Sequence, residues 1–224
     1  DNYAGVTWNN IPSSDGRILF IGWMSNWDYA QQVPTTGWRS SMTIPREIQL
    51  IKKDNDYSLI SNPVLELEKY YSKTQKEKKL IGKEKLEIVS SGKVDLTKAV
   101  ISFRLENLKN AVYNFTLSNA KGESVTFGIN NSENFLFMDR SKSGKIDFSE
   151  KFASTISKAL LNKNQKTADL KIVLDKTSIE IFYNNGEKVM TELFFPTQPF
   201  TSFSASSNEG IEINNLIINQ LKTN

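Results

Sequence analysis

The 224-residue sequence contains no cysteine and no histidine. Without cysteine there is no disulfide, no thiolate nucleophile and no Cys-ligated zinc. Without histidine the Ser-His-Asp and Cys-His triads are excluded, as are the usual zinc and non-haem iron sites. Catalysis by these residues is left to carboxylates, tyrosine or lysine. No apolar run approaches the roughly 20 residues of a membrane span, and no stretch reads as a signal peptide. Excess charge is also scarce, with a net charge of +3. The lysines are scattered, as on a solvated surface, and do not form a nucleic-acid footprint. The run Lys73 to Lys85 is interleaved with Glu77 and Glu84. It reads as an exposed segment, not a binding patch.

What is present is enough for one large domain, or one domain with an appendage. Hydrophobic residues make up 38% and charged residues 24%, so the chain buries a core. The densest stretch is Ile21-Gly22-Trp23-Met24-Ser25-Asn26-Trp27-Asp28-Tyr29-Ala30, continuing to Trp38-Arg39 and Pro45-Arg46-Glu47. Three of the 4 tryptophans lie in it, mixed with Asn and Asp. Flat apolar rings beside polar groups suit the floor of a sugar pocket. A buried aromatic strand followed by a turn is the plainer alternative.

Residues 1–50 read as strands joined by tight turns: strand-like Val6 to Trp8, a turn from Pro12 to Gly16, and a fully buried strand from Arg17 to Met24. A loop from Gln31 to Gly37, an alternating stretch from Trp38 to Ile44 and a strand over Glu47 to Leu50 follow. Together these fit one blade of a β-propeller. Residues 51–93 form a transition and the start of a second domain. It holds a polar turn at Lys52 to Asp56, a short strand at Tyr57 to Ile60, a break at Asn62-Pro63 and a short helix from Val64 to about Ser72. Residues 94–224 alternate with period two. Ile101, Phe103 and Leu105 share one face, Tyr113, Phe115 and Leu117 another, and Ile179, Ile181 and Tyr183 a third. Asn184-Asn185-Gly186 supplies the Asn-Gly pair of a tight hairpin. Many short strands separated by turns indicate a β-sandwich. Lys151 to Leu161 stays open between a short helix and a loop, because Phe152, Ile156 and Leu160 have helical spacing.

The order Gly-Trp-Met-x-Asn-Trp-x-Tyr-Ala (residues 22–30), then Val33-Pro34-Thr35, Trp38-Arg39-x-x-Met42 and Pro45-Arg46-Glu47, resembles glycoside hydrolase family 32: the levanases, exo-inulinases and invertases. Asp1-Asn2-Tyr3-Ala4 is similar to the family's Asp-x-Tyr-Ala segment. Phe137-Met138-Asp139-Arg140-Ser141-x-Ser143-Gly144 and Asp175-x-x-Ser178-Ile179-Glu180-Ile181-Phe182 resemble segments of its C-terminal sandwich, and Thr191 and Phe195-Pro196 continue the likeness. The resemblance implies an all-β chain: the last blade of a five-bladed propeller at 1–50, then a C-terminal β-sandwich. Asp139, Arg140, Asp175 and Glu180 are expected to hold turns and pair with one another, since an inward charge on a sheet needs a partner.

The family's reaction uses a carboxylate nucleophile and a second carboxyl as acid/base, about 5 Å apart. Its Trp-Met-Asn-Asp-Pro-Asn-Gly, Arg-Asp-Pro and Glu-Cys-Pro segments do not occur in this sequence. Asp28 and Glu47 can be imagined as a pair, but the resemblance does not support one. No catalytic residue, metal ligand or cofactor is therefore assigned. By resemblance Trp27, and after it Trp23, are the candidates for a ring lining the fructose subsite, and Asp1 and Tyr3 are candidates for leaving-group contacts. Arg39 and Arg46 are expected to stack and pair within the blade. The chain begins with Asp1, inside a family-like segment, and is read as a fragment of a secreted or periplasmic fructosidase that is inactive alone. The expected partners are a fructan or sucrose, the N-terminal propeller portion and a second copy of the chain. Residues 1–50 are expected to fold back on the sandwich, to pair with a second copy, or to be held by that N-terminal portion. A non-catalytic carbohydrate-binding or assembly sandwich is the alternative function.

Overall fold

The structure, a computed structural model, describes residues 1–53, 56–161 and 165–222. The first sheet contains β1 (Tyr3–Thr7), β2 (Ile18–Met24), β3 (Ser41–Met42), β4 (Arg46–Lys53) and β5 (Asp56–Pro63). Its order is β1-β2-β4-β5, with β3 pairing β2. All its pairings are antiparallel.

This sheet runs past residue 50, where the sequence pattern ended it. Pro63 is the last residue of β5 and pairs with Arg46. At a strand end its missing N–H breaks no ladder. In the polar turn expected at Lys52 to Asp56, Asp54 and Asn55 lie outside the described residues. The alternating stretch from Trp38 to Ile44 yields only the two residues of β3. The strand expected to be fully buried, β2, buries only Gly22 and Met24. Val6, Ile18, Leu50, Tyr57 and Leu59 are likewise exposed, because the sheet has a protein layer on one side alone.

A 3-10 helix, Leu65–Tyr70, takes the place of the short helix expected near Val64 to Ser72. It leads into β6 (Tyr71–Gly82), β7 (Lys85–Val89), β8 (Lys98–Glu106), β9 (Val112–Ser118) and β10 (Ser124–Asn130). Next come β11 (Phe135–Lys142), β12 (Ser157–Leu160), β13 (Ala168–Asp175), β14 (Ser178–Tyr183), β15 (Lys188–Leu193), β16 (Ser202–Ser206) and β17 (Ile211–Leu221). They form two 6-stranded sheets, β12-β11-β10-β9-β16-β7 and β15-β14-β13-β8-β17-β6. The lysine-rich run is largely β6, an exposed edge strand. Lysines on an edge discourage pairing with other chains.

Alternate residues of the two sheets meet in one core. Phe115, Phe127 and Phe203 are almost fully buried there, with Phe115 and Phe127 stacked at 5.6 Å and Phe127 and Phe203 at 6.0 Å. Each such ring contributes about 1.5–3 kcal/mol over an exposed one. The turn between β14 and β15 carries Asn185 and Gly186 at φ of 54° and 83°, as the Asn-Gly pair implies.

Lys151 to Leu161 is neither helix nor loop throughout. Ser157–Leu160 is β12, pairing β11. Phe152 is buried while Leu160 is 77% exposed, so their helical spacing does not mark one apolar face.

The first sheet docks on the sandwich through two apolar clusters. Met24, Tyr29 and Val33 meet Phe152, Leu193 and Phe195 in one. Ile44 and Leu67 pack against Val100, Val173 and Phe182 in the other. This second cover explains why every residue of β14 is buried. Ile179, Ile181 and Tyr183 face the core, while Phe182 faces the first sheet.

Candidate functional site

The first sheet presents an aromatic shelf. Tyr3 on β1 pairs in register with Trp23 on β2, and their rings lie 6.4 Å apart, edge to face. The Trp23 and Trp27 rings lie 4.9 Å apart. Trp27 reaches the shelf because a turn follows β2. Asn26 accepts from the Asp28 amide through Oδ1 at 2.9 Å and from the Ala30 amide through its carbonyl at 2.9 Å. That turn sends Tyr29 inward and Trp27 outward, leaving them 2% and 65% exposed. Tyr3 is exposed as well, and Trp23 is half-buried. Three of the four residues expected to touch sugar are therefore together, with open ring surface.

The fourth, Asp1, turns the other way. Its carboxylate accepts from Arg140 Nη1 at 2.5 Å, from the Leu193 amide at 3.0 Å and from the Tyr29 hydroxyl. Arg140 also donates to the Phe152 and Leu193 carbonyls, each at 3.0 Å, and its guanidinium lies 4.0 Å from the Phe152 ring centroid. Glu192 Oε2 stands 3.8 Å from Arg140 Nε. Burial pushes the Glu192 carboxyl above the ordinary carboxylate range, with Arg140 opposing it. Burial also raises the Tyr29 hydroxyl, again against the pull of Arg140.

A second buried pair joins the same two units. Arg46 Nη2 donates to Glu180 and to Thr191 Oγ1, the latter at 2.8 Å, and Glu180 also accepts from the Ile44 amide at 2.8 Å. Both side chains are 3% exposed. The expected pairing of Arg46 within the blade is thus replaced by one across to the sandwich. Glu180 likewise pairs with the blade, and Arg140 pairs with Asp1 beside the blade and with Glu192 of the sandwich, so none of the four expected residues pairs with another. Asp139 and Asp175 do hold turns, accepting from the Ser141 amide at 2.8 Å and the Lys176 amide at 2.7 Å. Arg39 does not stack on Trp38 in any described contact; it donates to the Gln31 carbonyl and braces the loop.

The imagined carboxylate pair is not assembled. Asp28 pairs with Lys151 at 2.9 Å, and Glu47 accepts from Gln49 Nε2 at 2.6 Å. Among the described residues no group of His, Cys, Asp and Glu could hold a metal ion. A cleft of about 230 Å³ lies between Asn62 of β5 and Arg104, Asp169 and Asn215 of the sandwich. Its Arg104 is already paired with Glu106 at 2.8 Å and Asp169 at 2.6 Å.

The sequence reading missed Tyr29 and Glu192, and it gave Arg140 and Glu180 the wrong partners. The available signal was the placing of charges within otherwise apolar strands, which demands a partner without naming it.

Comparison with known proteins matches the family description "Glycosyl hydrolases family 32 N-terminal domain" over residues 1–63 and "Glycosyl hydrolases family 32 C terminal" over residues 66–221. A levanase of Bacillus subtilis (strain 168) is 32% identical over 224 residues, covering 99% of this chain and 33% of the relative. An extracellular exo-inulinase of Aspergillus awamori is 26% identical over 217 residues, covering 94% of this chain and 39% of the relative. The chain thus spans about a third of the length of these relatives. Among solved structures, exo-inulinase from Aspergillus awamori superposes with a TM-score of 0.83 at 24% identity, covering 100% of this chain and 43% of that one. Fructofuranosidase from Schwanniomyces occidentalis in complex with fructose gives 0.79 at 25% identity, covering 100% of this chain and 48% of that one.

Proposed function

Because the chain belongs to glycosyl hydrolase family 32, we propose that it supplies one wall of the sugar site of an enzyme hydrolysing fructans or sucrose. The observation that carries this reading is the exposed shelf of Tyr3, Trp23 and Trp27. Open ring faces stack on the apolar face of a furanose, and this gives orientation without charge. In the proposal Trp27 makes the principal contact and Trp23 supports it. Tyr3 contacts the leaving group. Asp1 has its carboxylate held by three donors and positions the Tyr3 end of β1 without touching sugar.

The retaining reaction needs two carboxyls about 5 Å apart, one to attack the anomeric carbon and one to protonate the leaving oxygen. In this reading residues outside these 224 supply both, and the 224 residues alone release no sugar. The first sheet is the last blade of a five-bladed propeller whose other blades cover its exposed apolar residues. Relatives named as extracellular exo-inulinases support an extracellular site of action. A chain with no cysteine tolerates that compartment without redox constraint.

The test is a tryptophan-fluorescence titration with fructo-oligosaccharide. One wall of a pocket binds in about the millimolar range. Saturable quenching that Trp27→Ala abolishes is the expected result. An identical titration for the wild type and Trp27→Ala overturns the role of the shelf.

A further inference from the structure

The outer face of the sheet containing β9, β10 and β16 carries no charge across three strands. One row runs Ser204, Thr116, Thr126 in register, and the next runs Ser206, Asn114, Gly128. A third row is Ser202, Ser118, Ser124. The serine, threonine and asparagine side chains alternate with the buried core residues and lie half-exposed on the opposite face, while Gly128 is buried. Charges appear only where the rows end. Glu87 and Asp139 flank the first row, and Lys85 and Lys158 close the second beyond Phe137. In a chain with 24% charged residues this is a pronounced exclusion. Beyond the part covered by the first sheet, the outer face of the other sheet carries charges, with Arg104 paired to Asp169 and Lys79 to Glu212.

The polar groups of this face are available. Thr116 and Thr126 hydroxyls lie 3.3 Å apart and bond each other. Among the described residues the side chains of Asn114, Ser204 and Ser206 have no hydrogen-bond partner. Asn114 and Ser206 also line a shallow depression of about 400 Å³, whose lining holds one charged residue, Glu84. Beside the hydroxyls stands apolar ring surface. Phe137 lies over Gly128, where a Cβ would approach its ring to 2.9 Å. Phe135 meets Phe137 edge to face at 6.3 Å.

The geometry points to a docking surface for an uncharged polysaccharide chain on this face, centred on Asn114, Thr116, Ser204 and Ser206 and bordered by Phe137. An uncharged, hydroxyl-covered polymer needs partners that both donate and accept, which Ser, Thr and Asn provide. It offers no countercharge, so a charged side chain beneath it would lose water without compensation. Hydroxyls in a row recur at about the 4.8 Å spacing of neighbouring strands, a repeat short enough to follow a sugar chain. The complementarity is thus to a neutral polymer. A nucleic acid or acidic glycan would require the cations that this face lacks. The surface is separate from the aromatic shelf of the first sheet, and the proposal does not depend on the hydrolytic role.

Affinity electrophoresis of the 224-residue chain in gels containing inulin, levan, dextran or polygalacturonate tests it. The expected result is retardation by at least one neutral polymer and none by polygalacturonate. Measured in the Trp27→Ala background, where the aromatic shelf no longer contributes, the dissociation constant should rise at least tenfold on adding Asn114→Ala/Ser206→Ala. Thr126→Lys, which places a charge in the middle of the face, is an independent variant with the same expected loss. Retardation by no neutral polymer overturns the proposal. So does complete absence of retardation in the Trp27→Ala background, which assigns all binding to the shelf. Sedimentation showing a dimer that Asn114→Ala/Ser206→Ala dissociates also overturns it, since a second copy would then cover the face.

Discussion

Arg140 Nη1 lies 2.5 Å from Asp1 Oδ2 across the boundary between the first sheet and the sandwich, with side chains only 10% and 4% exposed. The two residues are 139 positions apart. The contact fixes the end of β1, and with it Tyr3, relative to the sandwich. Beside it, Arg46 and Glu180 make the same kind of connection at β4. The sandwich therefore acts on the aromatic shelf through two buried ion pairs and the apolar clusters around them.

Arg140→Met removes the cation from Asp1 and Glu192 together. Breaking a buried pair on one side costs about 3–5 kcal/mol. A lower urea midpoint is expected, with proteolysis appearing first within residues 1–63. A variant matching the wild type in both measurements would show that the pair does not hold the docking.

Arg46→Met leaves Glu180 buried with the Ile44 amide as its remaining described donor. A loss of about 3–5 kcal/mol is expected. The double variant Arg46→Met/Glu180→Met removes both charges and should recover much of that loss. Urea unfolding of the three proteins measures the coupling. Additive losses would mean that the two side chains act independently.

Glu192 sets a pH dependence. Burial raises its carboxyl above the ordinary value of 4.5, and its Oε2 has no hydrogen-bond partner among the described residues. The folded state thus binds the proton more tightly than the unfolded state. This contribution to stability is fully present below the unfolded value and is lost as pH rises through the folded value. Glu192→Gln should therefore gain on the wild type as pH goes from about 4 to about 8 in urea melts. A constant difference across that range would show that Glu192 does not titrate within it.

Gly186 has φ of +83°, and a Cβ there would run into the Ser61 backbone carbonyl, with its carbon at 2.7 Å, and meet Asn62 Oδ1 at 2.9 Å. Its carbonyl also accepts from the Ser61 amide at 3.1 Å, linking the β14–β15 turn to β5. Gly186→Ala should cost about 1–3 kcal/mol, seen as a lower Tm. An unchanged Tm would mean that the turn relaxes freely.

The parts of the fold that follow local rules could be read directly. The alternation of Ile101, Phe103 and Leu105 gave both a strand and its inward face, and Asn185-Gly186 gave the turn. The lysines of β6 concealed a strand, because an edge favours charge over the apolar alternation that marks a half-buried strand. Phe152 and Leu160 suggested a helix because the sequence does not distinguish a residue buried under the first sheet from one exposed on an edge. At the site, the Trp27, Trp23 and Tyr3 cluster followed from the family-like order of residues. The diversion of Asp1 to Arg140 did not, because a partner so distant in sequence is set by the docking of two domains.

Fructose release from levan is the decisive measurement of whether these residues form one wall of a fructan site. These 224 residues would replace the matching C-terminal segment of the 32%-identical Bacillus subtilis levanase, and folding would be verified by a cooperative melt. Release by the chimera, none by the 224 residues alone, and at least a tenfold fall in kcat/KM on Trp27→Ala, about 1.4 kcal/mol, are expected. A folded chimera that releases no fructose, an unchanged rate in Trp27→Ala, or release by the 224 residues alone would contradict this assignment.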